Sequence, residues 1–182
     1  MARLPYVDPA TAPDRVREAL EAAPPLNVFR MLAHAETAFR PWLRFGNALL
    51  QRAQLDARLR ELAILRVSKL TPGAEYEWVQ HVPIALAVGC TEDQVAALEA
   101  GDDDADCFSD EERLVLRFTN EVVHNATPAE ADWNDAVTRW SPREIIELLL
   151  TIGQYAMLGR VMATTRIDID GGAVAASLVA KQ

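Results

Sequence analysis

Four stretches of this chain announce a helix start in the same way. Thr91-Glu92-Asp93-Gln94, Ser109-Asp110-Glu111-Glu112, Thr127-Pro128-Ala129-Glu130 and Ser141-Pro142-Arg143-Glu144 each place a hydroxyl residue three positions before a Glu or Gln. At that spacing the hydroxyl accepts from the N–H three residues on, and the longer side chain reaches back to the first N–H. Two of the four also carry Pro at the expected first helical position. Between these starts the apolar residues recur at three and four, and almost nowhere do they alternate as a half-buried strand requires. The pattern predicts an all-α fold.

The remaining helices follow from the same signals. Residues 13–22 open with Pro13 and put Val16, Ala19 and Leu20 on one side, a short amphipathic helix that Pro24-Pro25 stops. Asn27 is the expected cap of a short piece over VFRMLAHA. Residues 37–53 form a longer helix, with Pro41 near its start or kinking it. His34 falls between those two, where a turn or core role is the ordinary one. Asp56 caps residues 57–70. After Thr71-Pro72-Gly73 a second helix covers 74–89, with Pro83 inside it and Gly89 ending it. Residues 101–108 read as a loop. The starts at Ser109 and Ser141 open helices to about Asn125 and Thr165, and Arg60-Glu61-Leu62 and Arg143-Glu144-Ile145 open similar apolar runs, a faint sign of internal duplication. The expected organisation is an N-terminal extension with a short helix (1–24), one helical domain (25–165) and a tail (166–182).

A length of 182 residues suits one domain with a sizeable core. The net charge of −9 argues against nucleic acid and anionic membrane surfaces as partners, since both need a basic face. No stretch reads as both long and apolar enough to cross a bilayer, and no leader is evident, so a cytoplasmic protein is expected. Cys90 and Cys107 form no Cys-x-x-Cys pair and read as plain core or loop thiols.

Chemistry concentrates between Glu61 and Gly89. Glu77 and His81 are four residues apart, so they share one helical face. That face is otherwise apolar, with Trp78, Ala74 and Ala85 on or beside it. A carboxylate and an imidazole there form either a satisfied structural pair or a site.

Arg60-Glu61-Leu62-Ala63-Ile64-Leu65-Arg66-Val67, followed by Glu75-Tyr76-Glu77-Trp78-Val79-Gln80-His81, resembles the carboxymuconolactone decarboxylase family, which also holds the AhpD-type alkylhydroperoxidases. Asn27-Val28-Phe29-Arg30-Met31-Leu32 and Ile152-Gly153-Gln154-Tyr155 look like the flanks of its longer members. The resemblance implies an AhpD-like helical fold and a homo-oligomer. In the peroxidase branch a Glu precedes Cys-x-x-Cys, with His four residues after the second Cys. Matched onto this chain, the His is His81, the Glu is Glu61, and the cysteine positions are Ala74 and Glu77. Both thiols are missing, and thiol peroxidase chemistry needs a thiolate and a resolving partner. Cys90 lies nine residues beyond His81, roughly 13 Å along a helix axis.

The decarboxylase branch has a Glu four residues before its His and no cysteines, as here. That likeness implies a cofactor-free lyase or isomerase, without metal, acting by acid/base chemistry on a small carboxylated lactone or ring compound of the kind met in aromatic-compound catabolism. His81 is then the proton donor or acceptor, Glu77 can orient the imidazole, and Glu61 can complete the relay, as a second base or as the orienter. Arg66 or Arg58 is expected to hold the substrate carboxylate, and Trp78, Tyr76, Trp42 and Tyr155 to wall the pocket. Two other readings stand beside it: an AhpD-like oxidoreductase with an unusual nucleophile, and a non-enzymatic helical assembly protein. A Glu61, Glu77 and His81 metal site is a further alternative.

Overall fold

The computed structural model describes residues 1–170, and every regular element among them is an α-helix. In chain order these are α1 (Asp14–Glu21), α2 (Asn27–Leu32), α3 (Glu36–Arg52), α4 (Ala57–Leu70), α5 (Glu75–Ala87), α6 (Glu92–Ala100), α7 (Asp110–Asn125), α8 (Glu130–Arg139) and α9 (Pro142–Thr165). Part of the expected tail, residues 171–182, lies outside the described residues.

Three of the four predicted starts form complete reciprocal capping boxes, at Thr91, Ser109 and Ser141. The fourth does not. α8 begins at Glu130 with Ala129 as its N-cap, and the Thr127 hydroxyl bonds to the Pro128 carbonyl instead. The Glu121 carboxylate, one helix back, accepts the Ala129 N–H. A local cap is redundant once a neighbouring helix supplies the acceptor.

Asn27 is also displaced from its expected role. It is the first residue of α2 rather than its cap. Both carboxylate oxygens of Asp170 lie 3.1 Å from its N–H, and its side-chain amide donates to the Asp168 carbonyl. The segment after α9 thus caps α2 from outside. Asp168 also takes the α-amino group of Met1 and the Tyr6 hydroxyl, so residues 1–7 and 166–170 are tied together. His34 sits in the turn before α3, its Nε2 2.7 Å from the Pro5 carbonyl.

α4 is the central element. It is buried along most of its length and packs on α5, α7 and α9. Its core side chains Leu62, Ala63, Ile64 and Leu65 meet Leu114, Leu116 and Phe118 of α7 and Leu148 and Ile152 of α9. α1, α2 and α3 carry a second, smaller cluster around Val16, Leu20 and Phe39. Gly159 fixes how closely α9 meets the α4–α5 turn: a Cβ there would stand 2.8 Å from Thr71 Cγ2 and 3.1 Å from Ala74 Cβ. The small residues at 74 and 159 therefore set the position of α5, and with it the site.

By length and composition α9 is apolar enough to cross a membrane, against the sequence expectation. Half of its most apolar window is buried inside the domain, where a central core helix needs the same composition.

Candidate active site

Glu61 points from α4 toward α5 and is fully buried. One oxygen lies 2.8 Å from His81 Nδ1, and the other 3.2 Å from Arg60 Nε. Since the carboxylate accepts, the imidazole carries its hydrogen on Nδ1 and turns Nε2 outward. Nε2 lies 3.5 Å from a Glu77 oxygen. The sequence offered Glu77 as the orienter of His81 by spacing, with Glu61 as the alternative. The structure gives that place to Glu61, because α4 and α5 bring residues twenty apart into closer register than the i,i+4 pair itself. Glu77 instead stands on the far nitrogen.

The surroundings raise both groups above their ordinary values. Burial pushes the Glu77 carboxyl up to about 7, His81 pulls it back and Glu61 adds to the rise. Burial by itself would lower the His81 pKa. The charge of Glu61, the hydrogen bond donated to it and the charge of Glu77 outweigh burial and the opposing Arg60, so the net direction is upward. Tyr155 of α9 sets its ring edge on the imidazole, with centroids 4.8 Å apart and planes at 86°. Burial and the two carboxylates raise its pKa well above the ordinary value, which keeps it a phenol able to donate.

These groups open into a cavity of about 530 Å³, lined by His81, Glu77, Gln80, Arg60, Gln154 and Tyr155 on its polar side. Leu26, Val28, Phe29, Leu43, Ile84 and Leu158 form its apolar wall. A volume of that size is in the range of small-molecule sites. α3 covers it, with Trp42, Arg40 and Arg44 facing the space; a Cβ on Gly46 would come 3.7 Å from Gln154 Nε2. α5 runs unbroken through Pro83 beneath it.

Of the residues expected to wall a pocket, Trp42, Tyr76 and Tyr155 line the cavity. Tyr76 is anchored from outside: its hydroxyl bonds to Asp170 and accepts the Val28 N–H at 3.3 Å. Trp78 is a correction. It lies one residue off the facing stripe of α5, outside the lining, and its ring stacks under Lys69 Nζ at 4.7 Å. Arg66 is another. It points away to α7 and its preceding loop, where Nε donates to Asn120 and Nη2 pairs with Asp103 at 3.0 Å.

The arginine in the site is Arg60, which the sequence reading used only as part of a motif. It is 5% exposed and lines the cavity. Among the described residues only its Nε has a protein acceptor. Its adjacency to Glu61 was the available signal, but in a helix buried on several sides adjacency does not give direction.

Cys90 lies outside the cavity lining. It is buried, its thiol contacts the Arg58 carbonyl at 3.9 Å, and burial pushes it up to about 11. A thiol so raised is a poor source of thiolate. Cys107 sits in the loop before α7. Among the described residues no group of three or more His, Cys, Asp or Glu is arranged to hold a metal ion.

Comparison with known proteins agrees with this architecture. Two crystal structures of uncharacterized peroxidase-related proteins superpose over nearly the whole chain, each with a TM-score of 0.78. One, from Ralstonia eutropha with an alkylhydroperoxidase AhpD core, is 21% identical and covers 93% of this chain and 92% of its own. The other, from a Silicibacter species, is 20% identical with the same coverage. A protein of unknown function from Agrobacterium tumefaciens, a candidate AhpD antioxidant defence protein, matches at TM-score 0.67 and 20% identity over 76% of this chain and 95% of its own. At such identities the likeness is one of fold. No curated protein matches the sequence. Residues 36–121, which contain Glu61, Glu77 and His81, match the model of the carboxymuconolactone decarboxylase family, and the chain as a whole has an AhpD-like helical fold.

Proposed function

We propose that the chain is a cofactor-free lyase or isomerase acting on a small carboxylated lactone or ring compound, with His81 moving the proton. The observation that carries this reading is the Glu61–His81–Glu77 chain ending in the cavity, with the Arg60 guanidinium beside it. Glu61 holds Nδ1 and fixes which nitrogen faces the substrate. Glu77, with a carboxyl displaced to about 7, takes or returns the proton that passes through Nε2. The two terminal amino groups of Arg60 present a fork to a substrate carboxylate.

For a decarboxylation, the C–C bond to the carboxylate breaks, carbon dioxide leaves, and the electron pair moves into the lactone or keto carbonyl. The Tyr155 hydroxyl stabilises the resulting enolate oxygen, and His81 delivers the proton to carbon. The apolar wall keeps water from competing. For an isomerisation the same groups remove and return a proton without loss of carbon.

The proposed partner is this small molecule, in the cytoplasm. A homo-oligomer is part of the proposal. Ile146, Leu150 and Met157 form an exposed apolar stripe on α9, and such a stripe is usually covered.

The test is a turnover screen of carboxylated lactones and β-keto acids, read by carbon dioxide release and by deuterium uptake from solvent. A converted substrate should lose about 10²- to 10⁴-fold in rate with His81→Ala, while the circular dichroism spectrum stays unchanged. Turnover that survives His81→Ala overturns the assignment.

A further inference from the structure

The cavity holds more polar capacity than a plain carboxylate can satisfy. Gln80 is 6% exposed and lines the cavity one residue before His81. Its Oε1 is buried and has no hydrogen-bond partner among the described residues. On the lining of the same cavity, the indole Nε1 of Trp42 is buried and equally without a partner among the described residues. One is an acceptor and the other a donor, and they come from different helices, α5 and α3. Buried polar atoms left unpaired are costly and rare in native folds. Two on the wall of one cavity are the mark of groups kept for a ligand.

Trp42 could serve the carboxylate that Arg60 would take, but Gln80 could not. A carboxylate oxygen cannot donate to Gln80 Oε1. The ligand must therefore offer a second polar substituent able to donate to Gln80, and the same group can accept from Trp42. A hydroxyl is the smallest group with both capacities.

We infer that the site takes a hydroxylated ring carboxylate, with Gln80 and Trp42 reading the hydroxyl while Arg60 holds the acid. The inference rests on the proposed use of this cavity as the substrate site, and it adds the substituent that distinguishes the substrate. Gln80 and Trp42 are then specificity residues: a site built around a hydroxyl rejects the analogue that lacks it, because its own groups are left unpaired.

The experiment is isothermal titration of the full chain with benzoate and with 2-, 3- and 4-hydroxybenzoate. At least one hydroxybenzoate should bind about tenfold or more tighter than benzoate. Gln80→Met keeps the length and removes the acceptor. Trp42→Phe keeps a ring and removes the donor. Each should reduce the hydroxyl preference, the ratio of hydroxybenzoate to benzoate affinity, to within about threefold while benzoate still binds, a pattern that general damage to the fold does not produce. Equal binding of benzoate and all three hydroxybenzoates overturns the inference and leaves the proposed acid site standing. So does a preference that persists in both variants. If none of the four acids binds, the carboxylate site and this inference fall together.

Discussion

Arg60 and Arg66 stand six residues apart on one helix and meet opposite fates. Arg66 is consumed by protein: Asn120 and Asp103 take its guanidinium, and Asn120 and Asp103 bond to each other. Arg60 is anchored at one nitrogen by Glu61 and otherwise faces a cavity. Both carry the same charge and both are largely shielded from water. What separates them is the number of hydrogen-bonding groups still open. A closed network stabilises the fold and nothing else, whereas a buried cation with open donors is a cost the fold carries for binding. The comparison extends across the site, since Gln80 and Trp42 also keep atoms open there.

Arg60→Met presses hardest on this contrast. It removes the only arginine beside Glu61, which is fully buried and left with His81 as its one charged partner. Breaking a buried pair in this way costs about 3 kcal/mol or more. Urea unfolding at neutral pH should show that loss, and titration with benzoate should show no binding where the parent binds. A variant that still binds carboxylates would remove Arg60 as the anchor, and the contrast with Arg66 with it.

Glu77→Gln sharpens the contrast through pH. The folded protein holds the Glu77 carboxyl at about 7, above the ordinary 4.5, so the folded state keeps a proton that the unfolded chain releases. That stabilisation is fully present below pH 4.5 and is lost as pH rises through about 7. A displacement of this size corresponds to roughly 3 kcal/mol at most, since each pKa unit is about 1.4 kcal/mol. His81 acts in the same direction: its folded pKa lies above 6.5, so its contribution also fades as pH rises through the folded value. The parent should therefore weaken between about pH 5 and pH 8. Glu77→Gln should flatten most of that fall and be the more stable protein at pH 8. Parallel stability curves for the two would mean that Glu77 is ionised in the fold, and would end its role as a proton carrier near neutrality.

Local rules made the helices legible. The boxes at Thr91, Ser109 and Ser141 and the cap at Asp56 depend on residues within three or four positions, and all four formed. Thr127 and Asn27 failed because their helix starts are capped by Glu121 and Asp170, acceptors brought in by tertiary packing. The site followed the same division. Glu77 and His81 were readable from one helix period. Their order was not, since Glu61 reaches His81 only through the packing of α4 on α5. The choice between Arg60 and Arg66 was beyond periodicity altogether. α4 is buried against three helices, so an apolar stripe cannot tell which polar residue faces a cavity and which faces a neighbour.

The smallest expected effect tests the other half of the comparison. Arg66 is partly shielded, Asp103 more open, and the pair lies where α7 meets its preceding loop rather than at the cavity. A partly solvated ion pair of this kind contributes on the order of 1 kcal/mol or less. Arg66→Ala should therefore lower the thermal midpoint by only a few degrees, scaled from a 1 kcal/mol change in a domain of this size. Binding of benzoate should stay within about twofold of the parent, because Arg66 lies outside the cavity lining and its guanidinium is held by Asn120 and Asp103. The informative result is the combination. A small stability loss with unchanged binding, set against the loss of binding in Arg60→Met, shows that two arginines on one helix are divided between structure and site by their open hydrogen-bonding capacity. If Arg66→Ala instead weakens binding as much as Arg60→Met, the α7 side of α4 is coupled to the cavity, and the satisfied network is part of the site after all.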